Sequence, residues 1–140
     1  MKHKYFSLEE LIESDTARKK GIDNTPGQKE IEHLDELMDF LDPLREAWGS
    51  SIKVNSGYRC ERLNKAVGGS STSAHLSGWA ADLWPGNNHF EAFKYFVISY
   101  LQDKKYDQCI IEKSGRSQWI HLGLRNMQGK QRKMCFSITK

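Results

Sequence analysis

Apolar residues fall into helical and strand-like rhythms along this chain. Ile31, Leu34, Leu37, Met38, Leu41 and Leu44 recur at intervals of three and four, which predicts a long amphipathic helix running on from Gly27. Pro43 is expected to kink or end it, because proline removes a backbone donor and crowds the preceding turn. Phe90, Phe93, Phe96 and Val97 predict a second helix from His89 to Leu101. Upstream, Ser7-Leu8-Glu9-Glu10 reads as a capping box. Phe6 is its apolar staple, and Leu8, Leu11 and Ile12 face inward. Ser14-Asp15-Thr16 opens another short helical turn that ends near Gly21. Asp23-Asn24-Thr25-Pro26 is a turn, with Thr25 expected as N-cap and Pro26 as first residue of the long helix.

Strand patterns follow. Ile52-Lys53-Val54-Asn55 alternates, and Trp79 to Trp84 forms a second run stopped by Pro85-Gly86-Asn87-Asn88. Gln108 to Glu112 and Gln118 to Leu124 flank the polar turn Lys113-Ser114-Gly115-Arg116, which predicts a β-hairpin. Lys133 to Ile138 adds an edge strand, and Arg59 to Val67 has helical character ending on Gly68-Gly69. No repeat, linker or low-complexity tract interrupts the chain. The expectation is one α+β domain over residues 1–140, a small antiparallel sheet packed against N-terminal and central helices.

Composition narrows the class. At 140 residues, 38% hydrophobic and 28% charged, the chain suits a globular domain with a core of its own. A net charge of +3 helps approach to an anionic polymer such as a cell wall but does not argue for nucleic acid. No apolar run is long enough to span a membrane, and Met1-Lys2-His3-Lys4-Tyr5-Phe6 lacks a signal region. A monomer, cytoplasmic as synthesised and without nucleic-acid or membrane partners, is expected. Cys60, Cys109 and Cys135 are odd in number and dispersed, which favours reduced thiols and argues against a cysteine-ligated zinc.

Chemistry-bearing residues concentrate between Ser56 and Asp82 and again at Gln118-Trp119-Ile120-His121. A catalytic zinc takes nitrogen or oxygen ligands from the protein and keeps one position open. His75, on a loop turned by Gly78, can converge with Asp82 on the following strand. Strand alternation puts His121 on one face with Trp119 and Gly123. The bland alternative is a packed core histidine and a turn-anchoring aspartate. His3, His33 and His89 are expected on the surface.

The chain resembles the zinc D-alanyl-D-alanine peptidase superfamily of carboxypeptidases and endolysins, with its hedgehog-like zinc-site fold, and looks closest to small phage and bacterial peptidases. The likeness runs from Phe6-Ser7-Leu8-Glu9-Glu10-Leu11 through Ser56-Gly57-Tyr58-Arg59 and Leu63-Asn64-Lys65-Ala66-Val67-Gly68-Gly69. It continues through Ser73-Ala74-His75-Leu76-Ser77-Gly78-Trp79-Ala80-Ala81-Asp82 and Asp107-Gln108 to Trp119-Ile120-His121. The resemblance implies Zn2+ held by His75, Asp82 and His121, and a peptidoglycan stem peptide or cross-link as substrate. It gives Arg59 a substrate carboxylate or carbonyl to hold, and Ser73 a share in peptide binding, with a local turn hydrogen bond as the alternative for Ser73. Relatives often carry an acid three residues before the second histidine, where this chain has Gln118. A hairpin centred near Gly115 is expected to bring Glu112 opposite Gln118, making Glu112 the candidate general base. Two rivals stand beside this reading: a thiol hydrolase using Cys60 at a helix start, and a zinc-containing wall-binding module without turnover.

Overall fold

The computed structural model describes residues 3–140. Local chemistry accounts for the helix starts. Ser7 Oγ accepts from the Glu10 backbone N–H at the head of α1 (Leu8–Ile12), and Ser14 Oγ accepts from Ala17 N–H at the head of α2 (Asp15–Lys20). The long helix α3 (Gln28–Trp48) starts later than Thr25 and Pro26 suggest. Its N-cap is Gly27, while Thr25 bonds Asp23 instead. Pro43 lies inside α3 without ending it. A mid-helix proline costs roughly 3 kcal/mol. Leu41 and Leu44 on either side are both fully buried, and each is worth about 1.5–3 kcal/mol in place. Packing therefore carries the helix through.

Five strands form one sheet in the order β1 (Ile52–Ser56), β2 (Ala80–Pro85), β4 (Ser117–Gly123), β3 (Gln108–Ser114), β5 (Met134–Thr139). Helices α4 (Glu61–Ala66) and α5 (Phe90–Tyr100) complete the α+β fold. Four strands are antiparallel. The edge strand β5 joins β3 in parallel, because β4 finishes beside Gln108 and the chain rounds that same end of β3 before pairing.

Residues directly opposite in a ladder share a face. Leu83 and Ile120 pair, as do Ala81 and Leu122. All four are fully buried, in one core cluster with Leu34, Leu37, Leu41 and Leu44 of α3 and Phe93 and Val97 of α5. The other face carries Asp82 opposite His121 and His121 opposite Ile110. One face makes the core and the other makes the site. No described helix is long and apolar enough to cross a membrane.

Two histidines depart from the surface role expected of them. His3 is buried, with Nε2 2.8 Å from Asp35 Oδ1. His33 stacks on Trp79 at 3.9 Å between ring centroids, with Nδ1 2.7 Å from the Ser77 carbonyl. His89 is exposed, as expected, just before α5.

The turn after β1 runs hard against the backbone of α1. A Cβ at Gly57 would lie 2.1 Å from the Leu11 carbonyl oxygen, whose partner is the Tyr58 N–H at 2.7 Å. Gly57→Ala is therefore expected to cost about 1–3 kcal/mol or more in urea denaturation, as overpacked sites do. An unchanged midpoint would mean that this contact is slack.

Candidate metal centre

The site is assembled from the same turn. Gly57 presents its carbonyl to His75 Nδ1 at 2.7 Å, and Arg59 N–H donates to the His75 carbonyl at 3.0 Å. His75 lies in a 3₁₀ turn (Ala74–Ser77) started by Ser73, whose Oγ accepts from the His75 N–H at 3.2 Å. Gly78, at φ +80, closes the turn; its Cβ position lies 2.9 Å from the Glu30 carbonyl oxygen, so both backbone and space require glycine. The chain then enters β2 and delivers Asp82 opposite His121.

A carbonyl can only accept, so His75 Nδ1 carries the proton and Nε2 of the neutral ring carries a lone pair. That nitrogen faces Asp82 Oδ1 at 3.2 Å, and His121 Nδ1 approaches the same oxygen at 3.1 Å. One ligand atom from each of His75, Asp82 and His121 lies within 4.8 Å of the others, and all three residues are buried. Burial holds the His75 pKa below the ordinary imidazole value despite Asp82 beside it. Burial works to raise Asp82 as well, but an imidazole that takes up a second proton outweighs it, by charge and by N–H donation, and then holds the carboxyl well below its usual range. An imidazole lone pair aimed at a carboxylate is a repulsive arrangement that a shared cation relieves. The donor set of two nitrogens and one oxygen fits zinc with a position to spare.

Arg59 flanks the cluster in a fixed pose. Nε donates to Ser56 Oγ and Nη1 to Asn64 Oδ1, each at 3.0 Å, and Nη2 reaches Asp82 Oδ2 at 3.5 Å. Burial draws its pKa down, opposed by Asp82 and Glu112. Asn64 carries no signal in the sequence beyond its place in the Leu63 to Gly69 stretch. It is buried, its Nδ2 holds the Ser70 carbonyl at 2.9 Å, and a Cβ at Gly69 would lie 2.1 Å from its Oδ1. It ties the arginine to the Gly-Gly-Ser-Ser loop, a link that no spacing rule announces.

These groups open on a cleft of about 530 Å3, whose walls include Arg59, Ser73, Glu112 and Trp119. The hairpin register corrects one expectation. Only Gly115 and Arg116 form the loop, so Glu112 pairs with Trp119, and Gln118 pairs with Lys113. Glu112 thus shares the face of His121, while Gln118 points to the other side. Glu112 is nearly buried and has Lys140 Nζ 3.5 Å from its Oε1. Ser73 lines the cleft and also makes the turn bond, so both of its expected roles have a geometric basis. Cys60 is not among the cleft-lining residues. Its Sγ accepts from Leu63 N–H at 3.4 Å as the cap of α4.

Comparison with known proteins agrees with this chemistry. The family described as Peptidase M15 matches residues 4–123. A stretch of 51 residues is 45% identical to the zinc D-Ala-D-Ala carboxypeptidase of Streptomyces albus G, covering 36% of this chain and 20% of that protein. The chain therefore matches about a fifth of that relative's length. Family and donor set together make Zn2+ the cofactor.

Two outcomes are expected. The protein should retain about one equivalent of zinc on dialysis, and His75→Ala, Asp82→Ala or His121→Ala should each reduce it to background in elemental analysis. Full retention by any one variant would remove that residue from the ligand set. The metal-free protein should also weaken in mild acid. A depressed imidazole pKa contributes stability that is complete above the unfolded value of about 6.5 and is lost as pH falls from there towards the folded pKa. Its urea midpoint should fall between about pH 7 and pH 5, and His75→Gln should flatten that slope. The window of Asp82 opens only below about pH 4.

Proposed function

The chain belongs to the peptidase M15 family, and on that footing we propose that it is a zinc peptidase hydrolysing peptide bonds of peptidoglycan, with His75, Asp82 and His121 as the zinc ligands. The observation that carries this reading is the Gly57 carbonyl fixing the His75 tautomer, so that Nε2 is a ready donor beside Asp82 and His121. Zinc in such a site supplies Lewis acidity, acidifying a water and polarising the scissile carbonyl.

Glu112 is the general base. It shares the cleft face with His121 and Trp119, within reach of the space in front of the cluster. Its carboxylate takes a proton as the water oxygen bonds to the carbonyl carbon. It returns that proton to the amine as the carbon–nitrogen bond breaks, leaving an amine and a carboxylic acid that then ionises to solvent. Arg59, immobilised by Ser56 and Asn64, holds a substrate carboxylate or carbonyl with its planar donors. The Ser73 oxygen is engaged with His75 N–H, but its own hydrogen can be donated to the peptide.

The wall-binding reading without turnover drew on Gln118. With Gln118 on the opposite face and Glu112 on the site face, an acid is available for turnover without one at Gln118. A D-Ala-D-Ala carboxypeptidase is the first activity to assay, since the matched Streptomyces albus G protein bears that name. An endopeptidase or endolysin acting within the stem or at a cross-link would use the same groups. Mass spectrometry of digested wall fragments distinguishes them by the products. Glu112→Gln should keep zinc and the melting temperature while lowering turnover by about 10²- to 10⁴-fold. A variant with full activity would remove Glu112 from the mechanism.

A further inference from the structure

The family match ends at residue 123, yet the cleft does not. Asn126, Arg132, Ile138 and Lys140 line it from the segment beyond. Within that segment Arg132 is held unusually firmly. Its backbone N–H and Nε both donate to Asp107 Oδ1, at 3.0 and 2.8 Å, and Nη2 donates to Oδ2 at 2.8 Å. The Asp107 side chain is 1% exposed and that of Arg132 is 46% exposed. The buried carboxylate takes one edge of the fork. Nη1 is left without a hydrogen-bond partner among the described residues, on a side chain that faces the cleft.

The sheet order sets where this second guanidinium stands. Arg59 leaves the end of β1 and Arg132 precedes β5, at the two opposite edges. The strands bearing Asp82 and His121 run between them. The charged lining residues are Arg59, Arg132 and Lys140 against Asp82, Asp107 and Glu112, so a bound divalent ion leaves the cleft net positive. Such a cleft selects for an anionic ligand. Planar donors held rigid on a buried carboxylate suit a carboxylate specifically.

We propose that Arg132 is a specificity-determining residue that binds a second carboxylate of the substrate, so that the preferred peptide is acidic on the side of the scissile bond away from Arg59. This rests on the peptidase reading and names its substrate class. The tie to Asp107 uses Nε and Nη2 and leaves Nη1 of this half-exposed side chain available to a ligand.

The test uses two peptides of one sequence, with the flanking side-chain carboxylate either free or amidated. The zinc-loaded protein should cleave the acidic peptide with kcat/KM higher by about tenfold or more, the range for a charge-assisted hydrogen bond. In Arg132→Lys, which keeps the charge but loses the fork, the ratio should shrink. It should approach one in the double variant Asp107→Asn/Arg132→Met, which leaves no buried carboxylate unpaired. Calorimetric binding of both peptides to the zinc-loaded Glu112→Gln protein, with and without those substitutions, should show the same discrimination. An equal loss on both peptides with the ratio intact, or no preference in the parent protein, would overturn the proposal. Cleavage of neither peptide would overturn the peptidase reading instead, and the calorimetric ratio would still decide the role of Arg132.

Discussion

The hydrogen bond between the Gly57 carbonyl and His75 Nδ1 is the constraint on which the site depends. It reaches across 18 residues of sequence, and it exists only because Gly57 has no side chain to meet the Leu11 carbonyl. The first helix, the end of β1 and the 3₁₀ turn thus meet at one backbone unit. Through it, packing of α1 against the sheet becomes a choice of histidine tautomer, and that tautomer turns the Nε2 lone pair towards Asp82. A shift of a few tenths of an ångström at Leu11 would be felt at the cluster, because interiors are too densely packed to absorb it.

The site face shows how a small domain keeps charge inside. Asp82 is nearly buried, and a carboxylate there is costly unless partners surround it. The Arg59 guanidinium, itself restrained by Ser56 and Asn64, supplies one, and a cation shared with the two imidazoles would supply the other. The opposite face is apolar, so the same strands give a core on one side and a rigid platform on the other. Functional groups carried on strands are held more closely than groups on free loops.

Beyond the family match the chain extends the sheet rather than trailing from it. β5 pairs in parallel with β3, bringing Cys135 into register with Cys109 and Ile138 with Glu112. Burial pushes the Cys109 thiol well above its ordinary pKa, with Cys135 acting in the same direction, and both cysteines are free. Met134 and Phe136 are exposed on this edge strand. The strand is anchored at its head, where the Met134 N–H donates to the Asp107 carbonyl at 2.8 Å, and at its tail, where Lys140 N–H donates to the Lys113 carbonyl at 2.8 Å. A wall of the cleft therefore depends on a segment outside the matched family region.

Periodicity and turn chemistry determined most of the elements: the leucine stripe of α3, the Ser7 and Ser14 caps, the hairpin and the edge strand were legible because each is a local property of backbone and burial. His75, Asp82, His121, Arg59 and Glu112 stood out in the sequence as candidates by residue type and motif, and the fold brings them to one cleft. Tertiary structure decided what local rules do not reach. The register of a two-residue loop put Glu112 opposite Trp119 and turned Gln118 away. The packing of α3 overrode Pro43, and the parallel arrangement of β5 followed from where β4 happened to end. Asn64, Asp107 and Arg132 gained their roles only through partners distant from their own motifs, because a hydrogen bond between separate elements leaves no period in the chain.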